Sequence, residues 1–414
     1  MNLRLISSVF FWLIALLFSP VAFSSQDITY VVNANNQFSF DLYAKYKTKD
    51  RNIFFSPYSI SSALAMAYEG SKGKTREEIQ QVLHFQKDGS SFRQAFQALH
   101  NRINSNDAAH WFKTAYAIWG QKGFKFLGTY LNVIEQYYAG IATSLDFAEQ
   151  PESSRLTINN WVEEQTNGKI KNSFPKGAFD KRTRLVITNA IYFKDSWLFE
   201  FNKKDTEVKD FYLENSDTVK VKMMGLTGKH FNYVETDDLQ ILELRYRYQK
   251  NQLSMLILLP KDNTLKAVED SLTVQRLTDW KKSLTVELVD VHIPKLKFET
   301  KYFMAKDLQE LGMTTAFSDE QDKDGYFTKA DFSGMTGEKN LNINQVVHQA
   351  FVDVNEEGTE AAAATGEFLD GASAIGDFKK SKLFNADHPF IFIIQDRETG
   401  NILFLGRILN PNNL

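Results

Sequence analysis

The hydrophobic and polar positions along the chain follow two spacings, one helical and one extended. Helical spacing covers Val31 to Tyr46, Ile60 to Tyr68, Ser91 to Ile103 and Ser153 to Gln165, which predicts amphipathic helices in the first half. Near Gly73 the chain has Thr75 followed three residues later by Glu78, a pattern that predicts a capping box at a helix start. The last of these helices should end at the Asn-Gly pair that follows it.

Strand-like segments, short and apolar or alternating, are more frequent towards the C-terminus. They are 52–59, 111–118, 185–193, 241–248, 253–259, 346–354, 390–395 and 402–409. The last two flank a turn signature and predict a hairpin. Because helices and strands do not alternate regularly, and no linker or repeat divides the chain, the pattern predicts one α+β domain.

One stretch departs from both spacings. Val346 to Val354 alternates and predicts a half-buried strand with His348 on its inner face. From residue 355 to residue 383 no period is visible, and connections of this length are usually functional. The stretch contains Glu356, Glu357, Gly358, Thr359, Glu360, Ala361, Ala362, Ala363, Ala364 and Thr365. A segment with so little side-chain bulk has the shape to enter a sheet between two existing strands.

The N-terminal residues 1–24 have the features of a signal peptide. Arg4 supplies a positive charge, Val9 to Phe18 an apolar segment, and Ala22 to Ser24 a small-x-small cleavage site. The apolar segment is shorter than the ~20 residues of a membrane span. We therefore expect a mature domain of residues 25–414 that is secreted or periplasmic and has no membrane anchor after cleavage.

Composition excludes several classes of function. The 414 residues include no cysteine, so disulfides, thiol catalysis and thiolate metal sites are absent. A net charge of −3 with both signs interspersed gives no electrostatic basis for binding nucleic acid or an anionic membrane. The aromatic content is sufficient for a large core.

No catalytic set can be assembled from the sequence, and no cofactor is indicated. The seven histidines are scattered, and no nucleophile, base and orienting group occur in a recognisable arrangement. One acidic segment has partial calcium-loop spacing, with candidate ligands at Glu320, Asp322, Asp324 and Asp331. The first and last ligand types are exchanged, so a solvated acidic loop is the competing interpretation.

Several blocks of sequence together resemble the serpin family. The segment Glu356 to Glu360 with its alanine run is similar to the hinge of inhibitory members. Four further blocks match in order, and they are 52–59, 188–197, 331–336 and 384–392. The resemblance covers essentially the whole mature chain. It implies three mostly antiparallel or mixed sheets, about nine helices and an exposed reactive loop at about residues 355–384.

The resemblance also implies a mechanism. A serine protease, or a cysteine protease, attacks the loop as a substrate, after which the loop enters the main sheet as a new strand and the protease is trapped covalently. Counting Gly358 as the first residue, the fifteenth is Ala372, so the reactive bond is expected between Ala372 and Ser373. The inhibitor would be a monomer and not an enzyme.

Further residues acquire roles only through the resemblance. Ser56, Ser59, Asn189 and His348 match a polar cluster beneath the sheet opening. Trp197, Lys295 and Glu356 match the region where insertion begins, and the last two would form an ion pair.

Two features bear on the identity of the target protease and on the efficiency of inhibition. The methyl group of Ala372 favours an elastase-like protease with a preference for small residues. Glu367 falls on the face of the loop that insertion would bury. The alternative function is a non-inhibitory serpin that acts as a binding or carrier protein.

Overall fold

The computed structural model describes residues 25–86, 89–107, 110–247, 252–262, 265–359 and 380–413. Within these ranges the α-helices, numbered α1 to α10 in chain order, are Ser25–Tyr46, Pro57–Gly70, Gly73–Val82, Ser90–Ile103, Gly128–Tyr138, Pro151–Gln165, Leu265–Ser271, Val274–Lys282, Ala305–Glu310 and Ser333–Thr336. None of the described helices is long and apolar enough to cross a membrane.

Sixteen strands occur in the same ranges. Numbered β1 to β16 in chain order, they are Ile53–Phe55, Ser105–Asp107, His110–Gln121, Ile141–Leu145, Leu185–Ser196, Glu207–Tyr212, Thr218–Glu235, Leu239–Arg245, Leu253–Pro260, Thr285–Pro294, Leu296–Phe303, Ile343–Val354, Gly358–Thr359, Lys382–Asn385, Phe390–Asp396 and Ile402–Ile408. The α+β class is confirmed, and β15 and β16 form the predicted hairpin.

The strands form two hydrogen-bonded sheets in the described part of the chain. The seven-stranded sheet has the order β11-β12-β13-β5-β3-β2, with β4 beside β3. The nine-stranded sheet has the order β1-β16-β15-β9-β8-β7-β10-β14, with β6 beside β7. Both are mixed, since β12 and β5 run parallel, as do β10 and β14. The resemblance implied three sheets, whereas the described strands form two. The difference arises because the 18-residue β7 joins two groups of strands into the nine-stranded sheet.

Helix α2 lies beneath the seven-stranded sheet and contacts β3, β5 and β16. All of its residues except Glu69 are buried or nearly so. Its start is fixed by Ser56, whose side chain accepts a hydrogen bond from the Ser59 amide, because serine at this position satisfies a free amide of the first turn. This cap places both serines directly under the sheet.

Two local predictions are wrong. Strand β12 is not half buried, because α6 covers the face opposite His348 and buries Val347 and Phe351 as well. The capping box does not form, because α3 begins at Gly73 and Thr75 lies inside it. The Thr75 hydroxyl instead accepts a hydrogen bond from the Asp331 amide, so it satisfies a distant backbone group.

The predicted end of α6 is confirmed. Asn167 and Gly168 both have positive φ, and the Gly168 amide donates to the Glu163 carbonyl over 2.8 Å. The left-handed conformation turns the chain out of the helix, as expected for an Asn-Gly pair.

Candidate functional site

The central feature of the seven-stranded sheet is the junction between β5 and β12. These strands pair directly in parallel from Ile343 opposite Leu185 to Phe351 opposite Tyr192. Beyond that point the short β13 lies between them, with Thr359 opposite both Val354 and Asp195. The stretch 355–383, in which the sequence shows no period, therefore includes a strand already inside the sheet, and β14 begins at its last two residues.

Gly358 has no space for a side chain at this position. A Cβ atom there would lie 2.0 Å from the Asp195 carbonyl oxygen and 2.6 Å from the Ser196 Cα, and the residue has a φ of 154°. Both obstacles are backbone atoms of β5, which cannot rotate away. Glycine is therefore required for the chain to pass this close to its neighbouring strand.

Thr359 is completely buried and contacts an aromatic pair. Its hydroxyl lies 2.8 Å from the Tyr246 hydroxyl, and the Tyr246 ring stacks on the Trp197 indole with centroids 4.6 Å apart. The indole nitrogen donates to the Asn355 carbonyl, and the Trp197 amide donates to the Glu357 carbonyl. The turn from β12 into β13 is thus anchored on Trp197.

Glu356 supplies a second anchor for the same turn. Its carboxylate accepts hydrogen bonds from the Lys295 ammonium at 2.7 Å and from the Thr206 hydroxyl at 2.8 Å. Burial alone would favour the neutral acid, but the bonds from Lys295, from its own backbone and from Thr206 together lower the pKa of Glu356. The side chain is therefore an ionised, satisfied acceptor at neutral pH.

Two further ion pairs flank this anchor. Lys203 lies 2.5 Å from the Glu357 carboxylate, and Lys297 lies 3.4 Å from that of Asp353. Both lysines are two-thirds exposed, so each pair is screened and contributes little by itself. The pair of Lys295 with Glu356 is less exposed, and the lysine donates a hydrogen bond to a nearly buried carboxylate. Of the three pairs, it therefore contributes most to holding the turn.

A polar cluster lies under the same two strands, further from β13. The His348 ring is fully buried, with Nε2 accepting from the Ser56 amide at 3.0 Å and Nδ1 2.5 Å from the Asn189 side-chain oxygen. Since Nε2 must accept, Nδ1 carries the proton and donates. The Asn189 amide group in turn donates to the Ser59 carbonyl and hydroxyl.

Burial lowers the pKa of His348 to about 3. The ring is neutral at physiological pH and holds β5 and β12 together from below, with each ring nitrogen hydrogen-bonded. A general-base role would require a free nitrogen, which this arrangement does not provide.

The acidic segment does not form a calcium site. Among the described residues no group of three or more His, Cys, Asp or Glu side chains could hold a metal ion. The Glu320 carboxylate pairs with Lys329, and that of Asp331 pairs with Lys339. Asp322 accepts from the Asp324 and Tyr326 amides. Three of the four candidate carboxylates are thus engaged separately by local partners, as expected for a solvated acidic loop.

The other predicted positions lie outside the described residues. They are Glu360, Ala361, Ala362, Ala363, Ala364, Thr365, Glu367, Ala372 and Ser373. Conversely, the structure shows three contacts of the hinge that sequence reasoning missed, made by Tyr246, Thr206 and Lys203. Their partners lie between 113 and 154 residues away along the chain, so no local pattern could have identified them.

Comparisons with known proteins agree with this architecture. A family model described as "Serpin (serine protease inhibitor)" matches residues 33–411. A protein of Methanosarcina acetivorans named "Uncharacterized serpin-like protein" is 42% identical over 92% of this chain and 88% of its own length. The "Leukocyte elastase inhibitor A" of Mus musculus is 39% identical over 92% of this chain and 99% of its own. The crystal structure of uncleaved ovalbumin matches with a TM-score of 0.80 and 30% identity, covering 92% of this chain and all of that one.

Proposed function

Because the chain belongs to the serpin family, we propose that it is a secreted inhibitor of a serine-type protease, with cysteine-type targets as a secondary class, and that it acts as a suicide substrate. The protease would cut between Ala372 and Ser373. The loop that precedes the cut would then enter the sheet between β5 and β12, and the protease would stay attached as an acyl-enzyme. Each molecule would act once, so the protein is an inhibitor and not a catalyst.

The position of β13 is the observation that supports this proposal. Gly358 and Thr359 already pair with β5, and Thr359 also pairs with β12. If the strand continued in the same register, residues 359 to 369 would lie opposite residues 195 to 185 of β5. Added strands gain main-chain hydrogen bonds along their whole length. The position of β13 supports entry of the loop at this point, and β5 is long enough to receive eleven residues.

Two arguments favour an elastase-like target. Ala372 offers a methyl group, which gains little in a protease pocket shaped for a basic or aromatic side chain. Independently, relatives about 40% identical to this chain carry the name leukocyte elastase inhibitor. We infer a protease that prefers small residues, bound by a monomer of this chain.

Incubation with elastase, trypsin and chymotrypsin tests the proposal. We expect an SDS-stable complex with elastase and a released C-terminal peptide that begins at Ser373, or at Ile375 if the cut moves along the small-residue run, as measured by mass spectrometry. Cleavage of the loop without any stable complex would contradict the inhibitory mechanism. A cleaved form no more heat-stable than the intact one would instead favour a non-inhibitory binding or carrier protein.

Glu367 provides a test of the register. In the continued strand its side chain would face the same side as Thr359 and lie between Ile187 and Val346, neither of which can pair with a carboxylate. Burying an unpaired carboxylate costs several kcal/mol or requires its protonation. We expect Glu367→Leu to raise the melting temperature of the cleaved form. Glu360→Leu, on the opposite face of the strand, is the matched control and should change it little. Equal effects of the two substitutions would refute the register.

Residues 1–24 are proposed as a signal peptide that directs the chain to the periplasm or the extracellular medium. N-terminal sequencing of the protein recovered from outside the cytoplasm should give a chain that begins at Ser25. A chain that retains Met1 would contradict this assignment. Light scattering of the mature protein should give the mass of a single chain.

A further inference from the structure

A cavity of about 160 Å³ lies beside the anchored hinge, where β7, β8 and the segment following β5 meet. Its walls are mainly apolar, formed by Trp197, Phe199, Phe231 and Leu244. The Phe199 and Phe231 rings meet edge to face, with centroids 5.8 Å apart. An apolar cavity of about 150 Å³ holds a single benzene ring in another protein. The volume therefore suits one aromatic ring.

The polar side of the cavity has one carboxylate, and that carboxylate is already satisfied. Glu243 is 4% exposed. It accepts hydrogen bonds from the side chains of Asn232 at 2.5 Å, Ser254 at 2.8 Å and Arg397 at 2.9 Å. A carboxylate that accepts hydrogen bonds from three donors has no need of a further cation. It is a fixed acceptor and not a free group facing the cavity.

Arg245 contributes a positive charge to the lining of the cavity. No carboxylate of the described residues lies within ion-pair distance of its guanidinium, although Arg245 lines the cavity. Partial burial, together with the nearby charge of Arg397, lowers the pKa of Arg245 against the opposing effect of Glu243. A guanidinium in such a place is suited to bind a carboxylate through two parallel hydrogen bonds.

We propose that this cavity binds a small aromatic carboxylate, with its single ring between Phe199 and Leu244 and its carboxylate on Arg245. Pockets of this kind combine an apolar body with a few polar groups that fix the orientation of the ligand. The ring would also contact Trp197, whose indole holds the Asn355 carbonyl at the hinge. The site stands on its own residues and does not depend on the inhibitory mechanism.

Calorimetric titration with phenylacetate, and with the neutral phenylacetamide as a matched probe, tests the site. For a ligand of this size we expect a dissociation constant on the order of 0.1–1 mM for phenylacetate. Arg245→Gln should weaken phenylacetate binding about tenfold or more, because a hydrogen bond to a charged group is lost, and should leave phenylacetamide binding nearly unchanged. The fluorescence of Trp197 should change on binding in the wild-type protein.

Two further variants test whether binding occurs in this cavity and not elsewhere on the protein. Val286 is 66% exposed and lies on the rim of the cavity, so Val286→Trp should leave the fold intact, cover the opening and abolish binding of both probes. Arg182→Gln, at an exposed arginine outside this cavity, should leave both affinities unchanged. Absence of phenylacetate binding at 10 mM (about ten times the weakest expected constant), or equal loss of both probes in Arg245→Gln, would overturn the proposal.

Discussion

The substitution Gly358→Ala tests whether β13 is the entry point of loop insertion. A methyl group at this position would meet the Asp195 carbonyl oxygen at 2.0 Å and the Ser196 Cα at 2.6 Å. Contacts between non-bonded heavy atoms are stable at about 3.5 Å or more, so the two backbones would have to separate by more than 1 Å. Because β5 is a central strand, we expect the hinge to move and not the sheet.

The free energy that holds β13 in the sheet is small enough for the substitution to displace the hinge. Leaving the sheet breaks the hydrogen bond between Thr359 and Tyr246 and the backbone pairing of β13 with β5 and β12, with each bond worth about 1 kcal/mol net. Against this, two freed residues regain about 1–2 kcal/mol each in backbone entropy. The terms nearly cancel, so the steric cost of the methyl group decides the outcome, and the rest of the domain should stay folded.

Hydrogen exchange and inhibition assays report the two consequences. In Gly358→Ala the amides of residues 354–359 should exchange far faster than in the wild type, and elastase should cut the loop without forming a stable complex. Gly128→Ala is the matched control, since a Cβ there meets no atom within 4 Å, and it should behave as the wild type. Normal trapping of protease by Gly358→Ala would refute the assignment of β13 as the entry point.

Two further predictions concern the anchors. Lys295→Met should lower the free energy of unfolding by about 1–2 kcal/mol at pH 7, whereas Lys297→Met, at a more exposed pair, should change it by under about 1 kcal/mol. Since the folded state lowers the pKa of Glu356, the effect of Lys295→Met is present above the unfolded pKa and should disappear as the pH falls through about 4 and below. For His348 the folded pKa is about 3 against an ordinary 6.5, so protons bind preferentially to the unfolded chain between these values. Compared with His348→Gln, the wild type should lose about 1 kcal/mol of stability per pH unit from pH 6.5 down to 3, and parallel pH profiles in urea unfolding would contradict this assignment.

The sequence was sufficient for the fold class, because the relevant signals are local and repeated. Apolar spacing located α4 and α6 to within two residues at each end, and the last two strands with their turn located the β15–β16 hairpin. Burial was harder to predict. Val347 and Phe351 looked as if they faced solvent because alternation within β12 says nothing about α6, which is more than 180 residues earlier and covers that face.

The hinge, too, was predictable from the sequence only in part. Gly358 and Thr359 were identified by their small size and order. Their position inside the sheet depends on Trp197, which only the family resemblance linked to them, and on Tyr246, which no pattern in the sequence links to them. The candidate calcium ligands show a related limit of spacing. Spacing can place carboxylates along a loop, but it cannot show that Lys329 and Lys339 neutralise two of them first.

The anchored hinge at Thr359 and the polar cluster at His348 lie on the same pair of strands, β5 and β12. The distance between them along these strands bears on the identity of residue 365. The His348–Asn189 contact is six residues further along β12 and β5 than the positions opposite Thr359. A strand that continued from Thr359 in register would therefore place residue 365 between them and break their hydrogen bond. Residue 365 is threonine, whose hydroxyl can accept from the His348 Nδ1–H and donate to the Asn189 oxygen. An alanine, as at the preceding four positions, would leave a buried donor and acceptor unpaired at about 1–3 kcal/mol each. In the proposed mechanism, Thr365 thus replaces the bond that its own insertion breaks.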